Sequence, residues 1–584
     1  MSTPTSNTRL DWRLLARYLR PHRFQVLVLG AVLAGTIAVQ LATPLAAARF
    51  LDEATSGGAF RTLLGVALLT MVLAVLGQGL ALLETWVAER VAWGATNALR
   101  EDLAAHLLNL DASFHNAHTP GELIERVDGD IGTLARFFSR FAVYVLGNAV
   151  LIVGVLALLY AVDWRIGLGL TLFVATALAA VLRQRVHATP YSARERQAGA
   201  DAYGFLGEYL SGLEDVRSSD AKAFVLRRWT ELMRTWLAAR MGAQMRGYGM
   251  VSTVTLVFGL GIAFALMLSA MLYRDGTLTV GTVFLVFRYT EMLRQPTEQI
   301  RNEVQDLQQA GASLGRVEVL FARQSKLGDG PGDRLPEGPL SIDLEHVSFG
   351  YGLGTPVLRG VSLHVPAGRV LGVLGRTGSG KTTMTRLLPR FHDPVEGMVR
   401  LGGVDLRTVS VAAVRARVGL LTQEAHLFNA SLRDNLTLFD AHAPDHCLID
   451  VLDSVGMGRW LGGLPDGLDT VLGAAGSGLS AGQIQLLACA RLLLRQPDVV
   501  ILDEPSSKLD PATERLVHQA LARLLAGRTG IVVAHRLSTF DLVDDILVLD
   551  GGETLEHGSR SDLIADDASR FATLLRHDQG GVFV

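Results

Sequence analysis

Five stretches in the first 325 residues run close to twenty residues each with almost no charge, at positions 24–48, 63–83, 141–162, 166–182 and 251–273. An α-helix needs about 20 residues to cross a hydrocarbon core of about 30 Å, so each is close to the length of a membrane span. Buried helices of a soluble protein rarely lack a polar face for so long. A sixth, shorter run at 280–287 continues into a polar helix carrying Arg288, Glu291 and Arg294. These runs predict a helical membrane domain of six long helices. Of the whole chain, 49% is hydrophobic and only 19% charged, and its mean hydropathy is +0.30, on the apolar side of soluble composition.

Charge between the runs predicts the topology. Arg9, Arg13, Arg17, Arg20 and Arg23 precede the first run, Arg126, Arg136 and Arg140 precede the third, and positions 183–246 are dense in arginine. The connections Asp163-Trp164-Arg165 and Arg274-Asp275-Gly276 are tiny. Under the positive-inside rule the N-terminus and the long loops of this multi-pass protein are cytoplasmic, and the bias of arginine over lysine suggests a GC-rich bacterial genome and hence the plasma (inner) membrane. The first run is too long for a cleavable signal, and positions 10–20 read as an interfacial amphipathic helix. Loops 84–140 and 183–246 keep helical periodicity, so the membrane helices are expected to continue beyond the bilayer. Glycine and proline cluster at 328–338, a linker composition. The expected organisation is a transmembrane domain at 1–325, a linker at 326–339 and a second domain at 340–584. The net charge of −3 carries no basic excess that would ask for nucleic acid. Two cysteines, Cys447 and Cys489, are too few for a disulfide scaffold.

The second part alternates β-rich runs with helical stretches, which predicts an α/β domain with a parallel sheet. Expected strands are 370–374, 418–421, 499–502, 531–534 and 546–549. The first leads into Gly375-Arg-Thr-Gly-Ser-Gly-Lys381-Thr382, a full phosphate-loop pattern, and a helix follows. Glycines at 375, 378 and 380 let backbone N–H groups converge on phosphate oxygens, together with Thr377, Ser379 and the helix-opening Thr383. Lys381 neutralises charge and the Thr382 hydroxyl suits Mg²⁺, so ATP with Mg²⁺ is the expected ligand pair. Val499-Val500-Ile501-Leu502-Asp503-Glu504 is an apolar strand ending in two carboxylates, one suited to a metal and one to an attacking water. Another strand, 531–534, delivers His535 at its end.

Taken together with Leu479-Ser480-Ala481-Gly482-Gln483 upstream of Asp503, these motifs resemble the ATP-binding cassette (ABC) transporters. More narrowly, the chain is similar to exporter-type half-transporters, in which six membrane helices precede one P-loop ABC ATPase domain. The resemblance implies that Tyr351 stacks on adenine and that Gln423 touches Mg²⁺ with Thr382 and Asp503. It makes Ser507-Lys-Leu-Asp510 the equivalent of the loop joining the two ATPase domains, Glu504 the general base and His535 the γ-phosphate contact. Two such domains would sandwich ATP between the phosphate loop of one and Ser480, Gly482 and Gln483 of the other, so a second half-transporter is the expected partner. Short coupling segments near 113–117 and 212–218 would transmit closure to the membrane helices.

This sequence departs from the family pattern at Ala481, where a glycine is usual, at Ile484–Leu487, which lack the usual basic residues, and at Leu472, where exporters often carry glutamate. These departures favour a heterodimer over a homodimer. The implied activity is ATP-hydrolysis-driven transport by alternating access, with export of a lipophilic or amphipathic small molecule, lipid or peptide preferred to import of siderophore-like cargo. Arg288, Glu291 and Arg294 recur at a spacing of three, and charge is costly in lipid. They are expected to shape the substrate path and to disfavour purely apolar cargo.

Overall fold

The computed structural model describes residues 12–352, 354–423, 425–440, 442–473, 478–503, 511–534 and 537–578. Two compact units divide the chain, Met1–Leu108 with Pro120–Arg323, and Asn109–Thr119 with Gln324–Val584.

The first unit is helical. A short α1 (Trp12–Leu19) leads to α2 (Arg23–Thr55) and α3 (Phe60–Leu108); the Tyr18 hydroxyl donates to Asp102 of α3 at 2.7 Å. After α4 (Ala112–Ala117), which belongs to the second unit, come α5 (Pro120–Ile124), a π-helical turn Glu125–Asp130, α6 (Ile131–Arg140), a π-helical stretch Phe141–Gly147 and α7 (Asn148–Val162). Then follow α8 (Trp164–Ser211), the short α9 (Leu213–Ser218), α10 (Lys222–Arg274), α11 (Val280–Met292) and α12 (Arg294–Phe321).

At about 1.5 Å per residue, the 49, 48 and 53 residues of α3, α8 and α10 reach roughly 70–80 Å, more than twice a hydrocarbon core. The helices therefore run on past the bilayer, as their periodicity predicts. Among the described residues, Ala16–Thr55, Phe60–Leu108, Pro120–Val162 and Lys222–Arg274 are long and apolar enough to cross a membrane, and Trp164–Ala179 is a shorter apolar stretch. The outer half of α3 exposes Leu68, Met71, Val72 and Val75 by more than half, an apolar strip that lipid rather than water must solvate.

The sixth expected span breaks at Leu293, between α11 and α12. Thr279 caps α11 with a capping box, and Asp52 of α2 accepts from the Thr279 hydroxyl and the Gly281 N–H, both at 2.7 Å. Fully buried Tyr289 donates to the Leu41 carbonyl at 2.8 Å. These contacts fasten α11 along α2. Buried Asp130 fastens α12 elsewhere, accepting from Ser313 at 2.9 Å, from the Arg316 guanidinium, and from Arg126 at 3.3 Å.

The second unit carries two sheets. Strands β1 (Ile342–Phe349), β2 (Leu358–Val365), β4 (Glu396–Leu401) and β5 (Val404–Asp405) form an antiparallel sheet in the order β2-β1-β4-β5. Strands β3 (Val370–Gly375), β6 (Val418–Leu421), β7 (Val499–Asp503), β8 (Thr529–Val533), β9 (Asp545–Asp550) and β10 (Glu553–Ser559) order as β10-β9-β3-β8-β7-β6, parallel except for β10. The five expected strands are the five parallel ones. Both faces of that sheet are covered: Val499 and Ile501 pack into one core, Val500 and Leu502 into the other. Continuous apolar runs are the sequence signature of that burial, whereas the antiparallel strands alternate and are harder to read.

Candidate nucleotide site

Parallel pairing sets the site. Val373 of β3 lies beside Val533 of β8, and Val533 beside Asp503 of β7, so the carboxyl ends of three strands stand together. Between β3 and the helix Lys381–Leu387 runs the glycine loop, where Gly378 and Gly380 take left-handed φ of 83° and 102°. A Cβ on Gly380 would meet the Leu358 side chain at 2.6 Å and the Val357 carbonyl at 3.1 Å. Glycine is required there by its φ and by β2 pressed against it.

Lys381 is 6% exposed, and its Nζ donates to the carbonyls of Gly375 and Arg376 at 2.7 and 3.0 Å. The ammonium is thus held at the helix start, within the loop itself. The buried Ser379 hydroxyl has no hydrogen-bond partner among the described residues, a polar atom left over for a ligand at this loop. The Thr382 hydroxyl lies 3.5 Å from the Asp503 carboxylate, which is itself buried at the end of β7. A hydroxyl and a carboxylate side by side fit a hard cation that takes oxygen ligands.

Tyr351 follows β1, 46% exposed, with its hydroxyl 3.3 Å from that of Thr383. Its ring stands edge-on to Phe349 and His392, with centroids 5.1 and 5.4 Å apart. An aromatic ring so held and half open suits stacking by a base. Gln423 is exposed two residues past β6, whose Leu421 pairs with Leu502, the neighbour of Asp503. The structure therefore brings Tyr351, Thr383, Lys381, Thr382 and Asp503 to one end of the sheet.

Ser480 and Gln483 bond each other instead. They form a capping box at the start of the helix Ala481–Arg495: the Gln483 N–H donates to the Ser480 hydroxyl at 3.2 Å, and the Ser480 N–H to the Gln483 side chain at 2.9 Å. Gly482 is buried and Ala481 exposed. Glu504, His535 and Ser507–Asp510 lie outside the described residues.

Three residues that sequence reasoning passed over also bear on this unit. Arg390, 2% exposed, donates to Asp393 at 2.9 Å and to the carbonyls of Val409 and Gly328 at 2.9 and 2.8 Å, tying the linker down. His392 is buried beside it. Asp111 caps α4 through the N–H groups of Ser113 and Phe114 at 2.9 and 3.1 Å, and accepts from the Lys326 N–H at 2.7 Å. Burial alone would raise its pKa, but bonds from the Ser113 hydroxyl and those N–H groups hold it below the usual carboxylate range. An acidic residue three before Phe114 was a cap signal; its bond from the Lys326 N–H had no local signature. Cys489 is fully buried, its thiol pushed up to about 12 by burial, and therefore unreactive.

A helical membrane region fused to a P-loop sheet defines an ATP-binding, ATPase-coupled membrane transporter. Residues 26–297 match the ABC transporter transmembrane region and residues 358–507 match the ABC transporter family. The chain is 32% identical over 569 residues to the cyclolysin secretion/processing ATP-binding protein CyaB of Bordetella pertussis, covering 95% of this chain and 78% of that one. It is 30% identical to the ATP-dependent lipid A-core flippase of Chromohalobacter salexigens over 96% of both. A bacterial Atm1-family ABC exporter solved with ATP bound superposes with a TM-score of 0.81, at 26% identity over 95% of this chain and 98% of that one. The chain belongs to the ABC transporter family, with the half-transporter arrangement of the exporters: a multi-pass membrane region fused to one ATP-binding ATPase domain.

Proposed function

We propose that this chain is one half of a dimeric, ATP-driven exporter of amphipathic molecules, seated in the plasma membrane with its N-terminus and ATPase domain in the cytoplasm. The observation that carries the reading is the convergence of Lys381, Thr382 and Asp503 at the carboxyl ends of the parallel strands. Lys381 would exchange its two carbonyl partners for phosphate oxygens, and the loop N–H groups with Ser379 would complete the cradle. Thr382, Asp503 and Gln423 would hold Mg²⁺, which when bound supplies neutralising charge to the phosphates. Tyr351 stacks the base, Glu504 orients and deprotonates the attacking water, and His535 contacts the γ-phosphate. Ser480, Gly482 and Gln483 face the nucleotide of the opposing subunit, with Ala481 favouring a heterodimer. The positive dipole end of the capped helix Ala481–Arg495 supports that role. The short helices α4 and α9 serve as the coupling segments.

The cargo reading rests on α11. An open, shallow apolar recess of about 500 Å³ is lined by Leu51, Leu266, Tyr273, Val283, Phe284 and Phe287. Phe284, Arg288 and Glu291 share one helical face, and the two charges pair with each other while staying nearly half exposed. Arg294 pairs with Glu298 at 3.3 Å. An apolar recess continued by an ion pair supports an amphiphile rather than a hydrocarbon. The names of the relatives, a flippase, a secretion protein and an exporter, support outward transport.

ATP hydrolysis by the purified chain in lipid nanodiscs, against its Glu504→Gln variant, tests the reading. Turnover abolished by the variant supports the catalytic assignment and a homodimer; ATP binding without turnover in the wild type supports an obligatory second subunit. Absence of ATP binding in a folded chain overturns the reading.

A further inference from the structure

The turn between the phosphate-loop helix and β4 buries two polar side chains where such a turn ordinarily exposes them. Arg390 is accounted for by its four hydrogen bonds. His392 is not: it is 8% exposed, and its buried Nε2 has no hydrogen-bond partner among the described residues. Leaving a polar atom unpaired costs stability, so the ring is kept for its contacts. It lies 5.2 Å from Phe349 and edge-on to Tyr351 at 5.4 Å, and Phe349 stands edge-on to Tyr351 at 5.1 Å. Three rings brace one another, and among the described residues the Tyr351 hydroxyl adds a long contact to Thr383. The charged groups acting on His392 are Arg386 on the phosphate-loop helix, its neighbour Asp393, Asp111 at the cap of α4, and the linker's Lys326. Asp111 and Lys326 are themselves joined through the Lys326 N–H.

We propose that His392 is a positioning residue for the nucleotide, bracing Tyr351 in its base-stacking orientation and coupling that orientation to the α4 crossover through Asp111. The proposal rests on Tyr351 being the base-stacking ring. Burial first, and the Arg386 cation next, hold the imidazole below its ordinary pKa, with Asp111 and Asp393 pulling the other way. At neutral pH it is therefore an uncharged ring packed on rings. Acidification places a cation in that cluster beside Arg386, which disturbs the brace, whereas a phenyl ring keeps the packing and cannot be protonated.

The affinity of the full-length chain in nanodiscs for trinitrophenyl-ATP, followed from pH 8 to 5.5, tests this without requiring turnover. His392→Ala should weaken binding by about three- to tenfold at pH 7.5, in the range of a lost aromatic contact. His392→Phe should restore wild-type affinity at pH 7.5 and remove part of the wild-type decline at low pH. Asp111→Asn, which keeps the cap, should move the His392-dependent decline to lower pH. An unchanged affinity in His392→Ala, with Tyr351→Ala weakened, overturns the proposal alone, as does a wild-type pH profile in His392→Phe. An unchanged affinity in Tyr351→Ala overturns the site assignment beneath it.

Discussion

Gly380 shows what a single position in this chain is asked to do. Its φ of 102° excludes most side chains, and a Cβ there would overlap Leu358. The phosphate-loop pattern explains this glycine by the convergence of backbone N–H groups on phosphate. The geometry adds a different obstacle, since the missing side chain would point at β2. Gly380→Ala should therefore lower the thermal stability of the ATPase domain by about 2–4 kcal/mol, overpacking and left-handed strain together, even without nucleotide. Calorimetry of the ATP-free protein checks this; a loss confined to ATP affinity would mean that the cradle alone sets the glycine. The phosphate loop around Lys381 was legible because its motif is local, and Tyr351 was singled out by resemblance to the family. His392 and Arg390 were not, because burial of a polar side chain has no signature in the residues beside it.

Among the helices, the contact between α12 and the π-helical turn before α6 is held by Asp130 with Ser313, Arg316 and Arg126. A buried carboxylate with three partners is costly to break, because its removal takes a counter-charge from two guanidiniums, although Arg126 also pairs with Glu122 at 3.6 Å. Arg316 is 42% exposed, so water softens the loss. Asp130→Ala should cost about 1–3 kcal/mol, read as a lower midpoint in thermal unfolding of the nanodisc-embedded protein, while Asp130→Glu recovers part of it. The helical periodicity of 84–140 announced long helices. It could not announce that Asn109–Thr119 packs with the ATPase domain, since that depends on Asp111 meeting Lys326 some 215 positions later.

For the whole molecule, the proposed amphipathic cargo is tested at the paired charges of α11. Arg288→Ala together with Glu291→Ala should shift the compounds that stimulate ATPase activity toward uncharged, more apolar ones, by about tenfold in the ratio of their half-maximal concentrations. An unchanged profile would mean that the ion pair only satisfies itself. The membrane region, the P-loop domain and their order along the chain were determined by the sequence, because each rests on a signal within about twenty residues: an apolar run the length of a bilayer, or glycines spaced to wrap a phosphate. Only tertiary structure decided the antiparallel sheet, the break at Leu293, the pairing of Arg288 with Glu291 and the ring cluster behind Tyr351. The sheet, the Arg288–Glu291 geometry and the ring cluster depend on partners or rotamers that packing selects. Local composition permits several such arrangements, and burial against distant segments picks one.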